Sequence, residues 1–411
     1  MAVDADSIAN TVIRQFQKLP PKRKPAIRDN GLRDWVPLSG IVAEVDGRMI
    51  CLALATGMKC LPSAKLAQSH GVALHDWHAE VLAIRTFNRF LLDECHCLAS
   101  GKDGSGILAR RVVNVGAEFN EEHTWPFEIR EGVKLHMYCS EAPCGDGSME
   151  LIMAAQDDAS PWAAPSQTPQ AESQADNELL GRACFSQLGV VRRKPARGDA
   201  PPTLSKSCSD KLALKQCLSL LSSLTSLFVH PRNAYINTLV LPKSQFSASA
   251  FERAFSPAGR MQPVANSSWS SGYTYRPFAV AVTDIEFEYS RRAFQDPATH
   301  IAASNLAAAW SLSKFDEGII GGVLQGRKAF DRKGASRMSR LQLWQLCIDL
   351  AGHLADFPEL EKALGPSVYQ EVKDGRLLAE RRRVKSDVCR VALRGWIKNE
   401  GGSNFRTNHK S

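Results

Sequence analysis

Short apolar segments and longer amphipathic segments alternate along the chain. "GIVAEV" and "MICLALATG" predict two strands joined by a hairpin at Asp46-Gly47. "VKLHMYCSE" predicts another strand because its apolar side chains fall on every second position. "AYINTLVLP", "PFAVAVTDIEFEYS" and "NLAAAWSLSK" predict further strands in the second half. An amphipathic helix is predicted within residues 11–30, a second at 76–95, and mostly helices after about residue 336.

This mixture predicts an α/β (α+β) protein in which helices pack on a central mixed sheet. The chain has 411 residues, enough for two or three average domains or for one large enzyme domain. Residues 156–180 are rich in Ala, Ser, Gln, Pro and acidic residues and offer little that could form a core. We therefore expect them to be a mobile insertion within the domain.

Charge is unevenly distributed. The formal net charge is +8, and residues 327–398 alone hold 16 basic and 9 acidic side chains. Such a surplus favours a polyanionic partner, although solvated faces of amphipathic helices would explain it as well. No run of about 18 apolar residues predicts a membrane helix.

The N-terminal "MAVDADSIAN" lacks a secretion signal pattern, which predicts an intracellular protein of the cytoplasm or nucleus. The 11 cysteines are then expected to be mostly reduced, and a few of them could bind metal.

The helix predicted at 76–95 opens with a polar pair, His78 and Glu80, in front of an apolar stretch. Cys144 follows Pro143 where a predicted strand meets a helix, a position in which the helix dipole favours the thiolate. His-x-Glu followed by Pro-Cys opens the signature of zinc nucleobase deaminases. In that chemistry one His and two Cys bind Zn²⁺, and the Glu moves protons without contacting the metal.

The usual Pro-Cys-x-x-Cys is incomplete here, because Gly147 occupies the position of the second cysteine. Cys208 is the best candidate for the third ligand, since its neighbours Ser207 and Asp210 are good helix-capping residues. A structural zinc site is the alternative, but such sites usually have four protein ligands and would leave Glu80 without a role.

Four segments together resemble the adenosine-to-inosine editing deaminases, which act on double-stranded RNA or on tRNA: "TGMKCL", "DWHAEVLAIRTF", "SEAPCGDGSME" and "RRKPARGDAPPTLSKSCSDK". The resemblance spans about residues 10–400 and implies one domain over 1–411 with a cytidine-deaminase-like sheet. No segment resembles a double-stranded-RNA-binding domain, so the tRNA-specific branch is the closer match. It implies zinc-dependent deamination of the adenosine 3′ of the anticodon in alanine tRNA.

The resemblance makes His78, Cys144 and Cys208 the expected zinc ligands and Glu80 the proton shuttle. It implies tRNA as the partner. The sequence indicates no protein partner, so we expect a monomer. A deaminase acting on double-stranded RNA and a catalytically inactive RNA-binding relative stay open as alternatives.

The family also encloses inositol hexakisphosphate as a structural cofactor, here expected inside the helical C-terminal part. The matching residues are Arg85, Lys211, Arg340, Tyr369, Lys373 and Trp396, together with Lys385, for which Arg381 is the alternative in the alignment. Lys215 is expected to replace a missing ligand. Two departures are visible. Ile84 stands where some relatives have Arg, and Leu214-Lys215-Gln216 replaces the "RWN" of other members. Part of the anion-binding set must therefore differ in this chain.

RNA contacts are predicted in two places. Thr56 and Lys59 of "TGMKC" are expected beside the flipped adenosine, because this segment precedes the zinc helix. Lys194 and Arg197 in the basic segment before Cys208 are expected to contact phosphates.

Overall fold

The computed structural model describes residues 3–111, 125–155, 179–180, 187–194, 200–294 and 300–407. Its helices are α1 Ala5–Gln17, α2 Ala79–Ala99, α3 Met149–Ala154, α4 Cys208–Leu218, α5 Ala248–Phe255, α6 Arg340–Gly352, α7 Pro358–Leu364, α8 Tyr369–Asp374 and α9 Ala379–Val391. Its strands are β1 Arg33–Trp35, β2 Leu38–Val45, β3 Arg48–Thr56, β4 Leu108–Arg110, β5 Phe127–Ile129, β6 Lys134–Cys139, β7 Leu179–Leu180, β8 Arg192–Arg193, β9 Val229–His230, β10 Ile236–Pro242, β11 Ala279–Thr283, β12 Ile301–Ala303, β13 Ala307–Ser311, β14 Phe315–Ile320 and β15 Val323–Leu324.

One eight-stranded mixed sheet holds the longer strands, in the order β11-β10-β6-β2-β3-β13-β14-β15. β6, β10 and β11 are parallel to one another. The remaining neighbours, beginning with β6 and β2, pair antiparallel. The predicted α/β class with a central mixed sheet is confirmed.

Successive side chains of each strand point to opposite faces of this sheet, and both faces are buried. In β3, Leu54 packs in the core beneath α1, whereas Ala53 and Ala55 belong to the core on the opposite face. Gly40 of β2 allows α1 to approach closely, because a Cβ there would lie 2.6 Å from Val12 Cγ1. Each large apolar side chain buried in these layers stabilises the fold by about 1.5–3 kcal/mol.

The C-terminal part is helical, as predicted, and it supports the helices of the site. α6 packs against α2, and α9 packs against α4. Within the described residues, no helix has the length and apolar character needed to cross a bilayer.

Three element boundaries differ from the prediction. α1 begins earlier than predicted, at Ala5, since the Asp4 side chain caps it by accepting from the Ser7 N–H. α2 begins at Ala79 rather than at residue 76, because the Asp76 side chain accepts the His78 N–H before the helix starts. β11 ends at Thr283, so the predicted continuation through "DIEFEYS" is wrong.

The predicted insertion at 156–180 lies outside the described residues except for its last two positions. These two residues form β7, which pairs in parallel with β8.

Candidate active site

The first turn of α2 presents the His78–Glu80 motif on an apolar support. His78 is the N-cap residue of α2, and Glu80 follows with 6 % of its surface exposed. Leu82, Phe87 and Leu91 are fully buried behind them. The motif therefore lies at the positive end of the helix dipole, as expected from the sequence.

Cys144 and Cys208 meet although 64 residues separate them in the sequence. Cys208 is the first residue of α4, and its backbone N–H donates to Cys144 Sγ over 3.3 Å. Gly145 permits this approach, because it has a φ of 100° and a Cβ on it would lie 2.2 Å from Ser207 Oγ. The strand-to-helix turn and the start of α4 thus bring two thiols to one point.

The pKa values of the two thiols are shifted in opposite directions. A hydrogen bond from Cys208, with help from the charge of Lys194, holds the pKa of Cys144 well below its ordinary value. Burial, and then the neighbouring Cys144, raises the pKa of Cys208 well above it. The pair therefore carries one thiolate easily, and a divalent cation bound to both sulfurs would favour the second thiolate.

Glu80 lies beside this pair in a setting suited to proton transfer. Burial, followed by the charge of Cys144, raises the pKa of Glu80 above that of an ordinary carboxyl group. A carboxyl group with a raised pKa can accept and return a proton near neutral pH.

Asp76 joins the site to a buried cationic network. Lys194 Nζ donates to Asp76 Oδ2 over 3.0 Å, and the Lys211 ammonium group contacts the same oxygen. Lys194 Nζ also donates to Cys208 Sγ over 3.2 Å. Although burial opposes ionisation, Lys194 and Lys211 hold the pKa of Asp76 well below its usual range. A continuous chain of charges thus leads from Lys211 to the Cys208 sulfur.

His78 takes part in two possible donor sets. Burial lowers the pKa of His78, but Asp76 and Cys60 outweigh it and raise that pKa to about 10. Donor atoms of Cys60, Asp76 and His78 all lie within 4.8 Å of one another. The predicted set of His78, Cys144 and Cys208 does not meet this limit within the described residues, although His78 interacts electrostatically with Cys144.

The predicted RNA contacts have varied surroundings. Thr56 is buried, and its hydroxyl accepts a backbone N–H from β13 over 2.9 Å. Lys59 donates to an asparagine side chain just before β13. Lys194 points into the buried Asp76 network rather than to the surface, where a phosphate contact was expected. Arg197 lies outside the described residues.

Six of the residues predicted to hold a polyanion each interact electrostatically with at least one other of the six: Arg85, Lys215, Arg340, Tyr369, Lys373 and Lys385. Two further residues join them, Lys206 and Arg381, which are 2 % and 9 % exposed. Lys206 Nζ and Lys385 Nζ each lie 5.6 Å from the Trp396 ring centroid. We call this group the basic interior: Arg85, Lys206, Lys211, Lys215, Arg340, Tyr369, Lys373, Arg381, Lys385 and Trp396.

Positive charges in the basic interior repel one another. Burial and the nearby Lys211 lower the pKa of Lys206 to about 7. Burial and Arg340 lower the pKa of Lys373 to about 8. Burial and Arg85 lower the pKa of Arg340 to about 10. Buried cations are costly unless anions pair with them, so a multiply charged anion fits this region.

Backbone carbonyl groups satisfy part of the hydrogen-bonding capacity of the basic interior. Lys215 Nζ donates to Leu220 O and Leu221 O over 2.9 and 2.7 Å. Arg381 donates to Leu218 O and Leu221 O over 2.9 and 2.6 Å. These contacts orient the side chains but do not neutralise their charge.

Asp76 and Lys206 were missed from the sequence, and Arg381 was passed over in favour of Lys385. Asp76 precedes His78 by two residues, and Lys206 precedes Cys208 by two. Their nearness to the motifs was a usable signal. Arg381 lies in the charged helix α9, where nothing in the local pattern distinguishes its buried side chain from exposed neighbours.

Comparison with known proteins gives a family match over most of the chain. Residues 53–400 match the family described as the adenosine-deaminase (editase) domain. A protein of Schizosaccharomyces pombe named tRNA-specific adenosine deaminase 1 is 36 % identical over 406 residues, which cover 97 % of this chain and 96 % of that protein.

More distant relatives include both substrate branches. A Saccharomyces cerevisiae protein, also named tRNA-specific adenosine deaminase 1, is 35 % identical over 58 % of each chain. The double-stranded RNA-specific editase Adar of Drosophila melanogaster is 23 % identical over 58 % of this chain and 33 % of its own length.

Proposed function

Because the chain belongs to the adenosine-deaminase (editase) domain family, we propose that it converts adenosine to inosine in tRNA by zinc-dependent hydrolytic deamination. The observation that carries this proposal is the convergence of Glu80, Cys144 and Cys208, with the two cysteines joined by a 3.3 Å contact. The similarity to the fission-yeast relative extends over nearly the full length of both chains, which supports tRNA as the substrate class.

His78, Cys144 and Cys208 are the proposed zinc ligands. An imidazole and two thiolates suit Zn²⁺ and leave one coordination position open, as a catalytic site requires. The competing set needs Asp76, whose Oδ2 already accepts from Lys194, from Lys211 and, over 2.5 Å, from Ser205 Oγ. A metal ion there would replace the 2.9 Å contact between Asp76 Oδ1 and His78 Nδ1, whereas in zinc sites such a carboxylate usually stays hydrogen-bonded to the histidine nitrogen that does not bind the metal.

Zinc in such a site supplies Lewis-acid activation of water, lowering its pKa toward ~7. Glu80 accepts a proton from the attacking water and delivers it to N1 of adenine. The water oxygen adds to C6, and a second proton, returned through Glu80, lets the amino group leave as ammonia. One water molecule is consumed and one ammonia is released for each inosine formed.

Lys194 contributes to this chemistry by placing a positive charge beside the Cys208 sulfur. Its contacts with Cys208 Sγ and Asp76 Oδ2 fix an ammonium charge next to the sulfur. That charge favours the ionised thiol that metal binding requires.

Inositol hexakisphosphate is the proposed occupant of the basic interior. The lowered pKa values of Lys206, Lys373 and Arg340 mark cations whose charge is not balanced by neighbouring acids. Denatured protein purified from eukaryotic cells should release this ligand, with one molecule per chain by mass spectrometry. Its absence from a folded, active preparation would refute the assignment.

The substrate position is tested by inosine mapping. The purified chain is incubated with transcribed tRNAs and with a long RNA duplex, and inosine is located by sequencing. We expect inosine at the adenosine 3′ of the anticodon of alanine tRNA. Inosine in the duplex but in no tRNA would favour the double-stranded-RNA alternative, and inosine in neither, despite bound zinc, would favour an inactive relative.

A further inference from the structure

The ends of α2 and α6 hold a second cluster of metal-donor side chains, far along α2 from Glu80. His96 lies in the last turn of α2, Asp349 in the last turn of α6, and His353 is the C-cap residue of α6. One donor atom from each lies within 4.8 Å of the others. His96 Nε2 is 3.0 Å from Asp349 Oδ2, and the His96 and His353 rings are 4.9 Å apart between centroids.

The position of this cluster favours a cation. The C-terminal end of a helix carries a partial negative charge, and here two such ends meet. Asp349 adds a full negative charge to the end of α6, whose last turn has no basic residue. An acidic side chain at that end is unfavourable without a neighbouring cation.

The surroundings leave donor atoms accessible. The His96 and Asp349 side chains are 32 % and 64 % exposed, and His353 is exposed too. Among the described residues, the ring of His353 forms an edge contact with His96 and no side-chain hydrogen bond.

From these observations we infer that His96, Asp349 and His353 form a surface binding site for a divalent transition-metal ion. Two imidazoles and one carboxylate suit zinc, nickel or cobalt, whereas magnesium and calcium prefer oxygen ligands alone. Water would fill the remaining positions. The bound ion would tie the end of α2, whose other end carries His78, to the end of α6.

Nickel uptake by untagged, zinc-loaded protein tests the site. Elemental analysis separates added Ni²⁺ from zinc already bound, and calorimetry gives the affinity. We expect one Ni²⁺ per chain, with binding weakened at least about 10-fold in His353→Ala and in Asp349→Asn, since losing even an outer partner of a ligand costs about 10–100-fold. His300→Ala removes an exposed histidine elsewhere and should bind Ni²⁺ like the parent protein.

A second experiment distinguishes this metal site from the proposed catalytic zinc site. Cys208→Ser should lose zinc yet keep the Ni²⁺ uptake. Failure of the parent protein to take up Ni²⁺, or equal uptake by His353→Ala and the parent, would overturn the inference. Neither result would bear on deamination.

Discussion

Replacing Asp76 by Asn tests how strongly the site depends on its buried charge network. Asp76 is 4 % exposed, and its carboxylate contacts Lys194, Lys211 and His78. Breaking a buried ion pair by removing one partner destabilises a protein by about 3–5 kcal/mol, because a charge is left unpaired. Folded domains are stable by only roughly 5–15 kcal/mol, so this loss is a large fraction of the total.

The assay is urea unfolding followed by tryptophan fluorescence, with Asp316→Asn as the matched control. Asp316 pairs with Arg23 over 2.7 Å, but its side chain is 35 % exposed, so its loss should cost about 0–1 kcal/mol. Asp76→Asn should therefore lower the unfolding midpoint far more than the control, at a similar slope. Equal midpoints for the two variants would refute the idea that Asp76 organises the buried cations.

Three further predictions address the metal, the fold around it and the basic interior. Cys144→Ser should lose stoichiometric zinc, whereas Cys60→Ser should retain it, as measured by elemental analysis. Gly145→Ala should weaken zinc binding at least about 10-fold, because the new Cβ would force the Cys144 turn away from α4; Gly101→Ala, with a φ of 71° but open space around it, should not. In polyanion-free protein, the free energy of unfolding should rise between about pH 7 and pH 10.5 as buried Lys206 and Lys373 deprotonate, and Lys206→Met should reduce this rise.

The sign of the pH effect follows from Lys206 itself. Its pKa is lowered from 10.5 to about 7 in the folded chain, so between these values the unfolded chain binds more protons. Below about pH 7 the folded protein carries the full cost of the buried charge, up to roughly 5 kcal/mol, and this cost disappears as the pH rises. A bound polyanion would stabilise the ammonium form and remove the dependence.

Each of these three predictions has an outcome that would contradict it. Loss of zinc from Cys60→Ser with retention in Cys144→Ser would indicate that Cys60, Asp76 and His78 bind the metal. Equal zinc affinity in the two glycine variants would show that the close approach of the Cys144 turn to α4 does not govern zinc binding. A pH-independent stability in polyanion-free protein would mean that Lys206 is not forced to lose its charge.

Local patterns identified the elements that carry the motifs. β6 and α2 were recognisable because their apolar residues follow a period of 2 or 3.6. β3 was recognisable as an apolar segment that follows the hairpin signal at Asp46-Gly47. β14, "FDEGII", was not predicted, because acidic residues and a glycine interrupt its apolar pattern. It is specified by pairing with β13 on one side and β15 on the other, which no local pattern reveals.

The candidate active site was also predictable only where local sequence patterns specify it. His78, Glu80, Cys144 and Cys208 stood out because the local sequence predicted each of them at a helix start. The structure confirms this for α2 and α4, whereas Cys144 lies in the turn before α3, which begins only at Met149. Lys194 was expected on the surface, yet it is 4 % exposed. Its burial depends on Asp76, 118 residues away in the sequence, and such a pairing is visible only in three dimensions.

The most direct test of the proposed chemistry measures inosine in tRNA with the parent protein and with Glu80→Gln, at equal zinc content. Glu80→Gln keeps the size of the side chain but cannot transfer protons. The account predicts inosine formation by the parent, and a rate at least about 10²–10⁴-fold lower in the variant with zinc still bound. Equal rates for the two proteins would contradict the assignment of Glu80 as the proton shuttle.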